Sequence, residues 1–383
     1  MTDRRIPFFD ARFGADELEA VTRPLRRGWL TMGEEVEALE HEIRRATGAA
    51  YAVAVANGTA ALHLASLALR LGPGDEVVCP TLTFVASANA PRSLGATIRL
   101  VDSVGEDDLC IDPAAIEAAI SERTRAIVIV HFAGFACDTA AIQAIAEPRG
   151  IPVIEDCAHA IFTKHRGRAL GLHGAVGCFS FYSNKNATCG EGGALITDDR
   201  ELAESLRQLR SHGMTAPTLD RRGGRTSSYD VVHPGFNYRI DEIRAALLRT
   251  QLEKLPGRLV RRRQLFRRYA AAFEGTQVKL PFTRGRHAAE LDETGVHILP
   301  ALLPAGSHRA AVMEQLSKAG IQSSVHYPPI HGFSAYRANG GALLERTSAL
   351  CERELSLPFY PDLSDADVDR VAGELLSILD AQN

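Results

Sequence analysis

The chain has 383 residues, long enough for a large core and for more than one domain. Hydrophobic residues make up 45% and charged residues 23%, the balance of a folded globular protein. A formal net charge of −4, from 43 basic against 47 acidic residues, argues against a general nucleic-acid binder, which would carry a basic face.

The opening stretch MTDRRIPFFDARFG has arginines but no apolar run of signal-peptide length, and no segment approaches the roughly 18 apolar residues of a membrane span. A membrane partner is not expected. Between residues 50 and 200, runs rich in valine and isoleucine predict buried strands at Ala52–Ala56, Ile98–Val101, Ala126–Val130, Pro152–Ile154, Ala175–Phe181 and Ala194–Thr197. Amphipathic stretches among them predict helices at Thr59–Arg70, Pro113–Ile120 and Thr139–Ala146. This alternation predicts an α/β domain with a largely parallel sheet covered on both faces. The polar segment Thr215–Val232, with RRGGR in its middle, reads as an exposed excursion.

Beyond it, Ile240–Arg268 reads as a long helical stretch interrupted near Pro256. The final third changes character: a strand at Val296–Leu303, a helix at Ser307–Ala319, a strand at Ile321–His326 and a helix at Asp365–Leu379. The expected division is a large α/β domain over residues 1–255 and a smaller α+β domain over residues 256–383. The seven cysteines (79, 110, 137, 157, 178, 189 and 351) form no CxxC pair. Neither a disulfide framework nor a zinc knuckle fits, so no metal is expected, and a reducing cytoplasm is the simplest compartment.

Four motifs stand where an α/β sheet offers a ligand site, beyond strand ends. Asn57-Gly58-Thr59 lies between a strand and a helix. It reads either as an ordinary helix cap or as a phosphate cradle, with Gly58 allowing close backbone approach and Thr59 adding a hydroxyl. Glu155-Asp156 closes an apolar strand. A carboxylate there is a solvated strand end or helix cap, or the partner of a buried cation such as a pyridinium nitrogen; His159, three residues on, reads as a ring contact or as a satisfied core histidine.

The third motif is Phe179-Ser180-Phe181-Tyr182-Ser183-Asn184-Lys185, with Gly190-Glu191-Gly192-Gly193 close behind. An apolar strand delivers a lysine into a glycine-rich loop, where desolvation can lower its pKa and free the amine to attack a carbonyl. Most lysines lie on the surface, and the glycine cluster argues against that here. The fourth, Gly235-Phe236-Asn237-Tyr238-Arg239, offers anion donors in Asn237 and Arg239 but reads equally as a turn before a helix.

Together these motifs resemble the DegT/DnrJ/EryC1/StrS family of sugar aminotransferases. The likeness also covers Gly28-Trp29-Leu30-Thr31, AVANGTAALHLA (54–65), GDEVVCPTLTFVASANA (74–90), VIEDCAHA (153–160), VHYPPIH (325–331) and LSLPFYPDLSDADVDRV (355–371). The resemblance implies the fold type I, aspartate-aminotransferase-like architecture and pyridoxal phosphate as cofactor, with pyridoxamine phosphate formed in turnover. It implies that Lys185 carries the cofactor as a Schiff base and shuttles the proton, and that Asp156 binds the ring nitrogen. Phe84 would stack on the ring, His159 would lie by its hydroxyl, and Gly58, Thr59 and Ser180 would hold the phosphate. Asn237 would reach the phosphate from the other subunit of a homodimer. Thr31, Tyr182, Glu191, Arg239, His326, Tyr327 and His331 are the implied substrate contacts.

The implied reaction is ping-pong. Glutamate gives up its amino group, which then passes to a ketone on a nucleotide-linked sugar, at C4 or C3. A keto-cyclitol acceptor is the nearest alternative, and a regulatory protein that keeps the fold without turnover is the alternative of a different class. The presence of both Lys185 and Asp156 argues against the latter, and Lys185 also argues against a dehydratase branch that carries histidine there. Two stretches depart from the family pattern, Ile161-Phe162 and Val296-His297-Ile298. They put the sugar in doubt and leave the cofactor machinery untouched.

Overall fold

The computed structural model describes residues 5–215, 228–337 and 344–382. The RRGGR of the expected excursion lies outside the described residues. Its described flanks, Thr215 and residues 228–232, are exposed as expected.

Two helices, α1 (Ala15–Arg27) and α2 (Glu34–Thr47), precede the sheet. Each stops at a glycine in the left-handed region, Gly28 (φ 67°) and Gly48 (φ 79°), a conformation that side chains with a Cβ resist. The strands β1 (Tyr51–Val55), β2 (Glu76–Pro80), β3 (Thr97–Val101), β4 (Thr124–Val130) and β5 (Val153–Asp156) follow. Helices α3 (Gly58–Ala68), α4 (Ala86–Ser93), α5 (Pro113–Ala119) and α6 (Thr139–Ala146) lie between them. A two-residue hairpin, β6 (Lys164–His165) and β7 (Arg168–Ala169), leads to β8 (Val176–Ser180), β9 (Gly193–Thr197) and α7 (Arg200–Arg210).

The large sheet has the order β1-β9-β8-β5-β4-β2-β3. All of its neighbours are parallel except β9, which runs against both β1 and β8. The apolar runs are continuous because both faces are covered. Val53 and Val55 point into one cluster, with Leu62 and Leu64 of α3, while Ala52 and Ala54 point into another, with Leu39 and Ile43 of α2. Strand β2, bounded by Asp75 and Thr81, was not among the predicted strands; it is a central, fully buried one.

Helix α8 (Glu242–Phe273) corrects one expectation: it runs through Pro256 without a break. Pro256 is exposed, whereas Leu252, Leu255 and Leu259 are buried. The missing N–H and the ring clash fall on the solvent face, where a bend leaves the packing intact. Residue 256 is therefore an interior position of one helix. Asp241 caps it, its Oδ1 accepting from Arg244 N at 2.9 Å.

The remaining elements are α9 (Gly285–Ala289), β10 (Leu299–Leu302), α10 (Arg309–Lys318), α11 (Glu345–Arg353), β11 (Glu354–Leu357) and α12 (Asp365–Asp380). Strands β10 and β11 pair antiparallel. Residues 321–326, expected as a strand, form only two isolated bridges, Ile321 to Ile6 and Ser324 to Ser356. The segment meets two different partners and so never extends one ladder. Strand β10 starts three residues later than expected because Gly295 and His297 turn their N–H groups to Thr163 and Ala133. One core joins the two parts of the chain: Ile127 and Ile129 of β4, Leu265 and Phe266 of α8, and Leu375 and Leu379 of α12 belong to a single apolar cluster. Fully burying a side chain of this size contributes about 1.5–3 kcal/mol.

Candidate active site

Strands β1, β2, β4, β5 and β8 all point the same way, so the segments that follow them meet at one edge of the sheet. Antiparallel β9 brings its first residue, Gly193, to that edge as well. A cavity of about 1020 Å³ opens there. Seven of the eight residues expected at the cofactor line it: Gly58, Thr59, Phe84, Asp156, His159, Ser180 and Lys185. The eighth, Asn237, is exposed and lies off this wall, with its backbone bridged to Ser211.

Of the expected substrate contacts, Tyr182, Glu191, His326 and Tyr327 line the cavity, and Thr31, Arg239 and His331 do not. His331 instead meets Thr81 Oγ1 at 2.7 Å and Ser348 Oγ at 3.1 Å. Thr31 sits in the turn before α2, which Glu242 holds by accepting from the backbone N–H groups of Gly33, Glu35 and Val36.

The first turn of α3 forms one end of the cavity. Asn57 Oδ1 takes the N–H of Ala60 at 2.8 Å, which leaves the dipole end of an 11-residue helix facing the cavity beside Thr59 and Ser180. Close approach explains two glycines. A Cβ on Gly58 would lie 2.8 Å from the Ser180 Cβ, and one on Gly193 would lie 2.4 Å from the Asn57 carbonyl oxygen. The motif is thus a helix cap with the geometry of an anion cradle.

Asp156 ends β5 at 5% exposure. Its Oδ2 accepts from Ser87 Oγ at 2.7 Å and its Oδ1 from Ala158 N at 3.0 Å. Burial raises its pKa, and the two hydrogen bonds and the Lys185 charge oppose that rise. Burial likewise brings the Lys185 amine down to about 8, with the Asp156 charge opposing. The Lys185 Nζ lies 3.4 Å from His297 Nε2.

Around these two groups the rings are neutral. His159 accepts from Ala133 N at 3.3 Å through Nδ1, so its Nε2–H faces Tyr327 Oη at 3.0 Å. Burial, with the nearby Lys185 charge, holds His159 and His297 well below the usual imidazole range and His326 at about 4. The Phe84 ring tilts against Tyr327 with centroids 5.7 Å apart, and Phe84 is 55% exposed at the rim.

Behind Asp156, the ligand atoms of His131, Glu155 and Cys157 lie within 4.8 Å of one another. Glu155 already accepts from His131 Nε2 at 2.8 Å, Gly171 N at 2.8 Å and Gly174 N at 2.5 Å. His131 Nδ1 in turn accepts from Cys137 N at 3.1 Å, so the group is a satisfied buried hydrogen-bond cluster that pins the loop before β8. Three residues that shape the site were not singled out by function in the sequence. Ser87 is one, and its only outward signal is its place four residues after Thr83, whose hydroxyl it meets at 2.9 Å. The others are Asn186, hidden beside Lys185, and His297, which stood out only as a departure from a family pattern.

An amine that burial keeps partly unprotonated, a buried carboxylate with a cation-facing role and a helix N-terminus behind a glycine form the donor set that pyridoxal phosphate requires. The sequence profile of the DegT/DnrJ/EryC1/StrS aminotransferase family matches residues 12–376. Among solved structures, the chain is similar to Spr1654 from Streptococcus pneumoniae, known in PLP and PMP forms. For the PMP form the TM-score is 0.90 and the identity 29%, over 98% of this chain and 99% of that one. It is also similar to Helicobacter pylori PseC, an aminotransferase involved in pseudoaminic acid biosynthesis (TM-score 0.90, 26% identity, 99% and 100% covered). A third is DesV from S. venezuelae, solved with a ketimine intermediate (TM-score 0.87, 33% identity, 98% of each chain covered). The chain is therefore a pyridoxal-phosphate-dependent enzyme and belongs to the DegT/DnrJ/EryC1/StrS family of sugar aminotransferases.

Proposed function

We propose that the enzyme moves an amino group from L-glutamate to a keto group of a nucleotide-linked sugar, at C4 or C3. One observation carries this reading: the Lys185 amine and the buried Asp156 carboxylate line a single cavity of about 1020 Å³. That is at the upper end of the roughly 300–1,000 Å³ usual for small-ligand sites, which leaves room for a sugar beside the cofactor.

When bound, pyridoxal phosphate supplies the aldehyde that takes up the amino group and the ring that draws electrons from the reacting carbon. Asp156 would keep the ring nitrogen protonated through its charge. The α3 N-terminus, Gly58, Thr59 and Ser180 would hold the phosphate. Phe84 would cover one face of the ring, and His159 would lie by its hydroxyl. Lys185 moves a proton at the carbon that bears nitrogen, which suits an amine whose pKa lies near 8. Tyr182, Glu191, His326 and Tyr327 form the wall against which the sugar lies.

The working unit in this proposal is a homodimer in which Asn237 serves the phosphate of the partner's site. Its exposure and its position off the wall of its own cavity support that assignment. The compartment is the cytoplasm, since all seven cysteines are buried and unpaired, as a reducing environment allows. No helix among the described residues is long and apolar enough to cross a membrane.

The test is turnover by purified protein with pyridoxal phosphate and L-glutamate, offered keto-hexoses linked to uridine or thymidine diphosphate and, separately, a free keto-inositol. Release of 2-oxoglutarate with the nucleotide-linked sugars is expected. Release with keto-inositol alone would replace the proposed acceptor by a cyclitol.

A further inference from the structure

We propose that His297 is a positioning residue for Lys185, its Nε2 lone pair holding the amine whenever that amine is not bonded to carbon, with Asn186 fixing the required tautomer. This rests on the reading of Lys185 as the reactive amine.

The tautomer follows from the hydrogen bonds of Asn186. Its Nδ2 donates to the carbonyls of Gly295 at 2.9 Å and Val296 at 3.3 Å, so the other side-chain atom is the oxygen. That oxygen lies 3.1 Å from His297 Nδ1. An amide oxygen only accepts, so Nδ1 carries the hydrogen and Nε2 carries the lone pair. The lone pair faces Lys185 Nζ at 3.4 Å.

The rest of His297 is fixed in place. Its N–H donates to the Ala133 carbonyl at 2.8 Å, and its carbonyl accepts from Arg262 Nη1 at 2.9 Å. The ring lies against His159 with centroids 4.7 Å apart and is 4% exposed. One ring nitrogen meets the scaffold and the other meets the amine.

The charged and titratable groups facing His297 are Lys185, Arg262, His159 and His326. The cations among them disfavour an imidazolium, so His297 remains an acceptor and the proton stays on Lys185. An acceptor at this position favours the ammonium over the free amine and so opposes burial. It also narrows where a side chain with four rotatable bonds can place its nitrogen.

The chain has five lysines, Lys164, Lys185, Lys254, Lys279 and Lys318, so each can be followed separately. The experiment is competitive labelling of the full-length, cofactor-free chain with trace acetic anhydride over a pH series, read by peptide mass spectrometry. In His297→Leu the apparent pKa of Lys185 should fall by about one unit, roughly a tenfold loss of ammonium stability, as for a lost hydrogen bond to a charged group. In His297→Gln, whose amide oxygen can accept, it should return to near the parent value. The other four lysines should not move.

No shift in His297→Leu, or a rise, would overturn the proposal. Where that variant does not fold, the ring nitrogens of His297 in the parent chain decide by ¹⁵N resonance. A neutral ring protonated at Nδ1 supports the assignment, and a hydrogen on Nε2 refutes it. Multiple turnover by Lys185→Ala would sink the underlying reading of Lys185 instead, and the labelling result would be unaffected.

Discussion

Ser87 donates a hydrogen bond of 2.7 Å to the Asp156 carboxylate across 69 positions of sequence, tying the first turn of α4 to the end of β5. A buried carboxylate needs such partners, because a charged acceptor left unpaired costs more than a neutral one. In Ser87→Ala the Asp156 pKa should rise further. Activity that needs the carboxylate is lost as pH falls through that pKa, so the acid limb of the pH–rate profile should move to higher pH. Losing a hydrogen bond to a charged group, worth about 1.5–3 kcal/mol, should lower kcat roughly tenfold or more. An unchanged profile would remove Ser87 from the site. Asp156→Asn should be slower still.

Gly58 is a steric requirement, for the helix takes it without backbone strain. In Gly58→Ala the new methyl would meet Ser180 at 2.8 Å, and α3 or β8 must give way where the phosphate is proposed to bind. The Kd for pyridoxal phosphate, from absorbance titration, should weaken at least about tenfold, or 1.4 kcal/mol, while the circular dichroism of the protein is retained. Affinity equal to the parent would place the phosphate elsewhere.

Lys185→Ala removes the only lysine amine among the described residues of the cavity wall. The protein should fold and should still take up pyridoxamine phosphate. It should not complete more than one turnover, as product release over time would show. Sustained release of 2-oxoglutarate would contradict the assignment.

Glu354 in β11 is buried, accepts from His326 N at 2.9 Å and from Ser356 Oγ at 2.5 Å, and has its pKa raised from 4.5 to about 8. The stability contributed by this protonated acid is fully present below 4.5 and is lost as pH rises through about 8. Glu354→Gln should therefore match the parent near pH 4.5 and become the more stable of the two toward pH 8. Urea midpoints at the two ends would show it. A difference of the same size at both ends would mean that the carboxyl ionises normally.

The site was legible where chemistry and chain order coincide. Lys185, Ser180 and Asp156 sit at or just beyond strand ends, and a parallel sheet brings such ends together. Ser87 and His297 act through partners 69 and 112 positions away, which no local pattern encodes. In the fold, Val53 and Ile127 announce their strands through apolar runs. Pro256 misled, since its effect depends on which face of α8 it occupies, and that face is set by the packing of Leu255 and Leu259. Residues 321–326 had the composition of a strand, but Ile321 and Ser324 take different neighbours.

The apolar cluster shared by β4, α8 and α12 bears on how a substrate gets in. His297, His326 and Tyr327 belong to the C-terminal part of the chain, yet they form the site together with loops of the large sheet. To swing them aside as a hinged jaw together with α12 would divide the apolar cluster that Leu375 and Leu379 share with Ile127 and Ile129 of β4, at a cost of several buried side chains. A hinged opening is therefore costly, and the exposed side of the cavity is where Phe84 and Tyr182 stand half in water.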